Sequence, residues 1–253
     1  MMYTDEELEQ LESEERSITE EAIAAMLLIL ANTHSELEKE LRNFYQQYGK
    51  DGVVTYNEAK KWVSKKDHRK RLAVLYLLFA DSFHRALADL TDEFELMVRR
   101  IMEMESDFFD TDLDIDKHLW SEWGADDLNW LDRLEEDLEL WLINVNNDVK
   151  VHIIKRDSID TILEQLDERF ITMERIIRTL VMTESTAVGS LARQLIFKEL
   201  GIKKYRYYAR EDERTCKQCG ALHGLVFPIS AYEVGVTASP IHPRCRCWEV
   251  PIK

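Results

Sequence analysis

Between residues 72 and 101 apolar side chains recur at positions 72, 75, 76, 79, 83, 86, 87, 90, 94, 97, 98 and 101. Steps of three, one and four trace one face of a helix. At 1.5 Å per residue that helix is about 45 Å long, a length that suits a helical bundle or an elongated assembly component. The same spacing returns at 159, 162, 163, 166, 170, 173, 176, 177 and 180, with Ser158 as its start and Gly201 as its stop. Residues 5–33 predict an earlier helix, whose acidic first turns suit the positive end of the helix dipole and lead into the apolar run Ala22–Ala31. A second, shorter helix is expected over Ser35–Tyr48, ending at the loop signal Gly49-Lys-Asp-Gly52. Thr55 then caps a short helix carrying Ala59 and Trp62, and Leu128–Val145 forms a further one. Past Gly201 the pattern changes, and the aromatic, basic stretch Lys203–Arg210 reads as a strand. The expected fold is mainly α. An elongated helical region, 1–175, precedes a small α+β module, 176–253.

Composition sharpens that division. The 253 residues suffice for one or two domains, and 45% are hydrophobic, enough for a sizeable core. Only eight glycines and four prolines occur, and no proline precedes Pro228, which argues against a turn-rich all-β fold. Net charge is −16, but unevenly spread. Residues 201–253 hold nine Lys/Arg against five Asp/Glu, a net of +4, which leaves −20 on residues 1–200. A whole-surface nucleic-acid binder is therefore excluded. The acidic N-terminus does not resemble a signal peptide, and Ala22–Ala31 falls short of the ~20 residues that span a bilayer, so no membrane partner is expected.

Three segments are candidates for chemistry. Asp110, Asp112, Asp114 and Asp116 alternate as in a calcium loop, but the positions that need Gly and Glu are Ile115 and Ser121, so the stretch reads as an acidic solvated loop. Trp120, Trp123 and Trp130 read as core or interface anchors. The third segment is the strongest. All four cysteines lie in the last 38 residues, as Cys216-x2-Cys219 followed by Gly220, then Cys245-x-Cys247. Two thiolates on a tight turn and two more on one face of an extended segment point at one tetrahedral metal, with zinc expected in a structural role. In a reducing compartment such clusters indicate metal sooner than disulfides. His242 is an alternative ligand through His242-x2-Cys245, and His223 a weaker one.

The run Met182-Thr183-Glu184, then Tyr205–Ala209, then Asp212-Glu-Arg-Thr-Cys216-x2-Cys219-x2-Leu222-His223-Gly224-x2-Phe227, then His242-Pro243-Arg244-Cys245-Arg246-Cys247, resembles the phage head morphogenesis family of Mu F-like minor head proteins. The resemblance covers roughly the last third of the chain. The helical region fits the family only in kind, and Met182 stands where the family more often has Arg. Thr183, Glu184, Gly224 and Pro243 belong to the shared motif, and Glu184 is either the anchor of a buried pair or a surface residue. The resemblance implies a minor structural protein of a tailed-phage virion. It would associate with the portal during procapsid assembly, with the major capsid protein, scaffold and packaged DNA as further partners, and aid DNA packaging or delivery. Family members also occur fused to toxin domains; the chain stops six residues after Cys247, and none is expected here.

Two other functions compete. A small metal-dependent nuclease or hydrolase would use His242 or His223 as base with Asp212 or Glu213 as carboxylate, though no spacing demands it and no catalytic residue is assigned. A zinc-module nucleic-acid binder would use Lys203, Lys204, Arg206, Arg210, Arg214, Arg244 and Arg246 on phosphate.

Overall fold

The computed structural model describes residues 3–50, 53–54, 66–124 and 126–252. Four long helices dominate: α1 (Asp5–Tyr48), α2 (Lys66–Phe108), α4 (Trp130–Lys155) and α5 (Ile159–Glu199), with a single turn, α3 (Ile115–His118), between α2 and α4. The C-terminal part adds β1 (Lys204–Tyr208), α6 (Lys217–Leu222), β2 (Val226–Pro228), a 3-10 turn (Ile229–Ala231) and β3 (Trp248–Ile252). The fold is mainly α with a small antiparallel sheet, as the sequence pattern indicates.

Two expected helix limits differ from the structure. The helices read over 5–33 and Ser35–Tyr48 are a single α1 of 44 residues. Nothing between them breaks a helix, and Thr33 donates its hydroxyl to the Ile29 carbonyl (2.9 Å) within it. α1 does end at Gly49, whose N–H reaches the Tyr45 carbonyl. The helix expected from Thr55 with Ala59 and Trp62 lies outside the described residues. α4 starts two residues later than Leu128, where Asn129 caps Leu131 and Asp132 while Asp132 accepts from the Asn129 N–H, and it runs ten residues past Val145. α5 ends in a Schellman closure. Gly201 sits at φ +66, its N–H bonds the Lys198 carbonyl, and the Ile202 N–H bonds that of Phe197. Ile202 and Phe197 then share a core cluster, the apolar contact that accompanies this cap.

The chain forms two compact units that interleave along the sequence: residues 1–24, 92–134 and 178–253, and residues 25–91 and 135–177. The described residues of the second unit are mostly helical, with isolated β-bridges at Lys50–Val53 and Val53–Ser158. At its centre Trp141 stacks on Phe83 (centroids 5.8 Å apart) and meets Phe170 edge-on (4.8 Å), while its indole N–H donates to the Arg169 carbonyl. In the first unit, the sheet runs β2-β1-β3 with β1 central and antiparallel to both neighbours. Strand alternation sorts its residues. Tyr205, Tyr207 and Glu249 face α5, where Tyr205 joins Ala187, Phe197 and Tyr232 in one core. Trp248 and Val250 face the other way, against Leu8 of α1. The alternating aspartates are absorbed locally: Asp114 caps α3 and Asp116 pairs with Arg99 at 2.7 Å. Trp130 is buried and stacks on Phe94, whereas Trp120 stays 44% exposed.

Candidate metal centre

Cys216 begins the site. It is the N-cap of α6, its Sγ accepting from the Cys219 N–H (3.3 Å), and the next helical turn carries Cys219 to the same side. α6 stops at Gly224, whose φ of +78 lets its N–H return to the Tyr207 carbonyl of β1 (2.9 Å), so the knuckle is tied to the central strand. The second limb comes from the segment before β3. Arg244 adopts φ +59, unusual for a side-chain-bearing residue, and is held there by α5: its N–H donates to Thr183 Oγ1 (3.0 Å) and its guanidinium to Thr179 Oγ1. Thr186 Oγ1 donates to the Cys245 carbonyl (2.9 Å). Two threonines one helical turn apart thus aim the Cys245–Cys247 segment at the knuckle.

The donors converge as two overlapping groups, Cys216–Cys219–His242 and Cys219–Cys245–Cys247, with the ligand atoms of each within 4.8 Å of one another. All four cysteines are free thiols. Cys219 Sγ lies 3.7 Å from Cys245 Sγ and 3.2 Å from His242 Nε2. A tetrahedron with Zn–S bonds of ~2.3 Å has an S···S edge of about 3.8 Å, so the thiol spacing suits one ion. The His242 Nδ1 faces the Pro243 carbonyl at 2.8 Å; donation there leaves Nε2 as the lone-pair nitrogen aimed at the cluster. Soft thiol donors with one imidazole fit zinc, and the residues present could hold such a metal.

Electrostatics prepare the thiols unequally. A hydrogen bond from Cys247 holds the Cys245 thiol down at about 5, against burial. The Cys219 N–H lowers Cys216. Burial pushes Cys219 up to about 12, and Cys247 is raised by its bond to Cys245 and by burial. Beneath them Tyr207, fully buried on β1, points its hydroxyl at Cys219 Sγ (3.5 Å) and Cys245 Sγ (3.8 Å). Burial, then the Cys245 charge, keep that phenol protonated, so it remains a donor to the sulfurs. Period-2 alternation places Tyr205 and Tyr207 inward, but nothing in the sequence says that Tyr207 meets the cysteines.

Residues 144–250 match the family model described as Phage Mu protein F like protein. This region is Mu F-like. Neither a curated protein nor a solved structure showed similarity to the chain. The Mu F-like region takes in the last turns of α4, all of α5, both limbs of the cysteine cluster, β1, β2 and the start of β3.

The other candidate residues of the Mu F-like region are placed as follows. His223 is turned from the cluster, its Nδ1 3.2 Å from the Ala209 backbone and its ring over Tyr208. Asp212 is gripped by both Arg246 guanidinium nitrogens (2.6 and 2.7 Å), which holds its carboxyl below the ordinary range. Arg210 pairs with Glu12, and Lys203, Lys204, Arg214 and Glu213 lie exposed. Arg206 is half-buried. Glu184 is buried and bound by the Trp123 indole (2.7 Å) and by Arg133 (3.2 Å), and burial raises it to about 7. Its partners are in the 119–134 segment rather than in the sheet module.

Sequence reasoning missed a second buried polar centre. Arg193, 2% exposed, bonds Glu105 of α2, Glu249 of β3 (3.4 Å) and Glu15 of α1 (3.6 Å). Glu249 also accepts from Tyr232 (3.0 Å), Ser190 (3.2 Å) and the Ser239 N–H (2.6 Å). One guanidinium cannot balance three carboxylates. Burial, over the opposing pull of Arg193, raises Glu105 to about 8, which favours its neutral form at pH 7. In the sequence Glu105 only marks the end of a helical pattern.

Proposed function

We propose that this protein is a minor structural protein of a tailed-phage head, docking on the portal during procapsid assembly and aiding DNA packaging or delivery. The observation that carries the reading is the Mu F-like match over residues 144–250, which enclose a cysteine centre tied by Thr183 and Thr186 into the α5–sheet core. A zinc ion, held by Cys216, Cys219, Cys245 and Cys247 with His242 as the competing fourth ligand, would staple a module whose sheet has only three strands. The role is structural. Asp212 is engaged by Arg246 and His223 by backbone, so the carboxylate–histidine pairs an enzyme would need are committed elsewhere. Exposed Lys203, Lys204 and Arg214 would face packaged DNA, with salt-dependent affinity.

The test is co-expression with the portal protein of the same phage, reading co-purification and zinc content together. A stable complex with one zinc per chain is the expected result. A chain that neither binds the portal nor enters procapsids overturns the assembly reading. Metal-dependent DNA turnover lost in His242→Ala would replace it with the nuclease. Metal content of single variants at the five donors identifies the four ligands: the one dispensable residue keeps full occupancy.

A further inference from the structure

Four large apolar side chains on one face of α4 stand in solvent: Leu140 (60% exposed), Ile143 (55%), Val151 (44%) and Ile154 (44%). Asn147, also exposed, lies in the middle of them. Steps of three, four, four and three put all five on one stripe of the helix. The opposite stripe, with Trp141, Val145 and Val149, is already buried in the unit of residues 25–91 and 135–177. α4 is therefore apolar on two faces, and only one is covered within its unit. Two features of the open face say what covers it. The stripe reads the same in both directions about Asn147. Its ends carry opposite charge, with exposed Glu135, Glu136 and Glu139 beside the N-terminal end and exposed Lys150 and Lys155 beside the C-terminal end. A palindromic apolar row with complementary ends is self-complementary, which is what an isologous contact requires.

We propose that a second copy of this chain docks antiparallel on this face of α4, about a twofold axis through Asn147. Leu140 of one copy then lies against Ile154 of the other, and Ile143 against Val151. The two Asn147 amides meet at the centre and fix the register, since any slip would leave them unpaired in an apolar row. The acidic end of each helix faces the basic end of its mate. One helix face is small beside the ~1,600 Å² of a standard interface, so the dimer is weak and concentration-dependent.

Sedimentation equilibrium of the full chain at physiological salt tests this. A monomer–dimer equilibrium is expected. Ile143→Asp with Val151→Asp should raise the dissociation constant at least about tenfold with helical circular dichroism unchanged, because both positions are solvent-exposed. Lys150→Glu with Lys155→Glu should also weaken the dimer, and adding Glu136→Lys and Glu139→Lys should restore it. A wild-type chain that stays monomeric at hundreds of micromolar overturns the proposal. So does a dimer indifferent to the Asp variants, or a charge swap without rescue. Loss of portal capture in the Asp variants of a monomeric chain would assign the face to the portal instead.

Discussion

The two compact units solve the same packing problem with different chemistry. In residues 25–91 and 135–177 the centre is aromatic and aliphatic, with Phe83, Trp141 and Phe170 in contact. Among the described residues the fully buried Ser, Thr and charged side chains there are those of Thr33 and Ser82 alone. In residues 1–24, 92–134 and 178–253 the interior holds Glu105, Glu184, Arg193 and Glu249 as well as the cysteine cluster. Apolar packing gains stability in proportion to area and tolerates approximate fits. Buried charges do not: each must meet its partners or destabilise the fold. The sheet-bearing unit should therefore respond to metal, pH and single polar substitutions, and the mostly helical unit chiefly to volume.

The largest expected difference comes from the metal. Chelation, or Cys245→Ser, should open the 204–252 segment to hydrogen exchange, whereas the amides around Trp141 keep their protection. Structural zinc is worth ~10 kcal/mol or more in small modules, which exceeds other single contributions here. Equal protection in both forms would show that the cluster is dispensable.

Next come two truncations of similar size and different kind. Arg193→Met should cost about 3–5 kcal/mol by stranding Glu249 and its neighbours without their cation. Trp141→Ala should cost ~3–5 kcal/mol through a cavity. Denaturant melts at several pH values separate them, because only the Arg193 variant should alter the pH dependence of stability.

The pH effect itself is smaller. Glu105 is raised to about 8 and Glu184 to about 7, above their unfolded values. The folded state then binds more protons than the unfolded one, so stability contributed below pH 4.5 falls as pH rises through 7 to 8. Glu105→Gln should flatten that decline at its upper end. A melting curve of the wild-type chain that rises steadily from pH 5 to 8 would show that Glu105 is ionised. Smallest of all is Arg85→Ala in the helical unit, which removes exposed pairs to Glu36 and Asp81 and should leave the melting temperature unmoved.

Legibility in the sequence followed the same division. The periodic apolar rows at 72–101 and 159–180 announced two long helices; the structure extends the first to Lys66–Phe108 and ends the second just before its expected stop at Gly201. The break placed at Thr33–Ser35 failed because a change in composition is not a helix stop; no Gly or Pro stands there, and α1 continues. The cysteines could be grouped before any fold was known, since their spacing sets a local geometry. Tyr207, Thr183 and Thr186 could not be assigned to them, because β1 and α5 reach the cluster only through tertiary packing.

By itself the sequence determined the helical class, the strand after Gly201 and the pairing of the cysteines into two limbs. These follow from rules that act within a few residues: side-chain period, capping, and ligand spacing on a turn. Only the tertiary structure decided which charges are buried and who answers them. Arg193 finds Glu105 across 88 positions and Glu249 across 56, and Trp123 finds Glu184 across 61. No local pattern marks those residues in advance. An Arg or Glu on a helix looks the same whether its face meets water or a neighbouring chain segment, and the cost of burial that makes them informative exists only once the chain has closed around them.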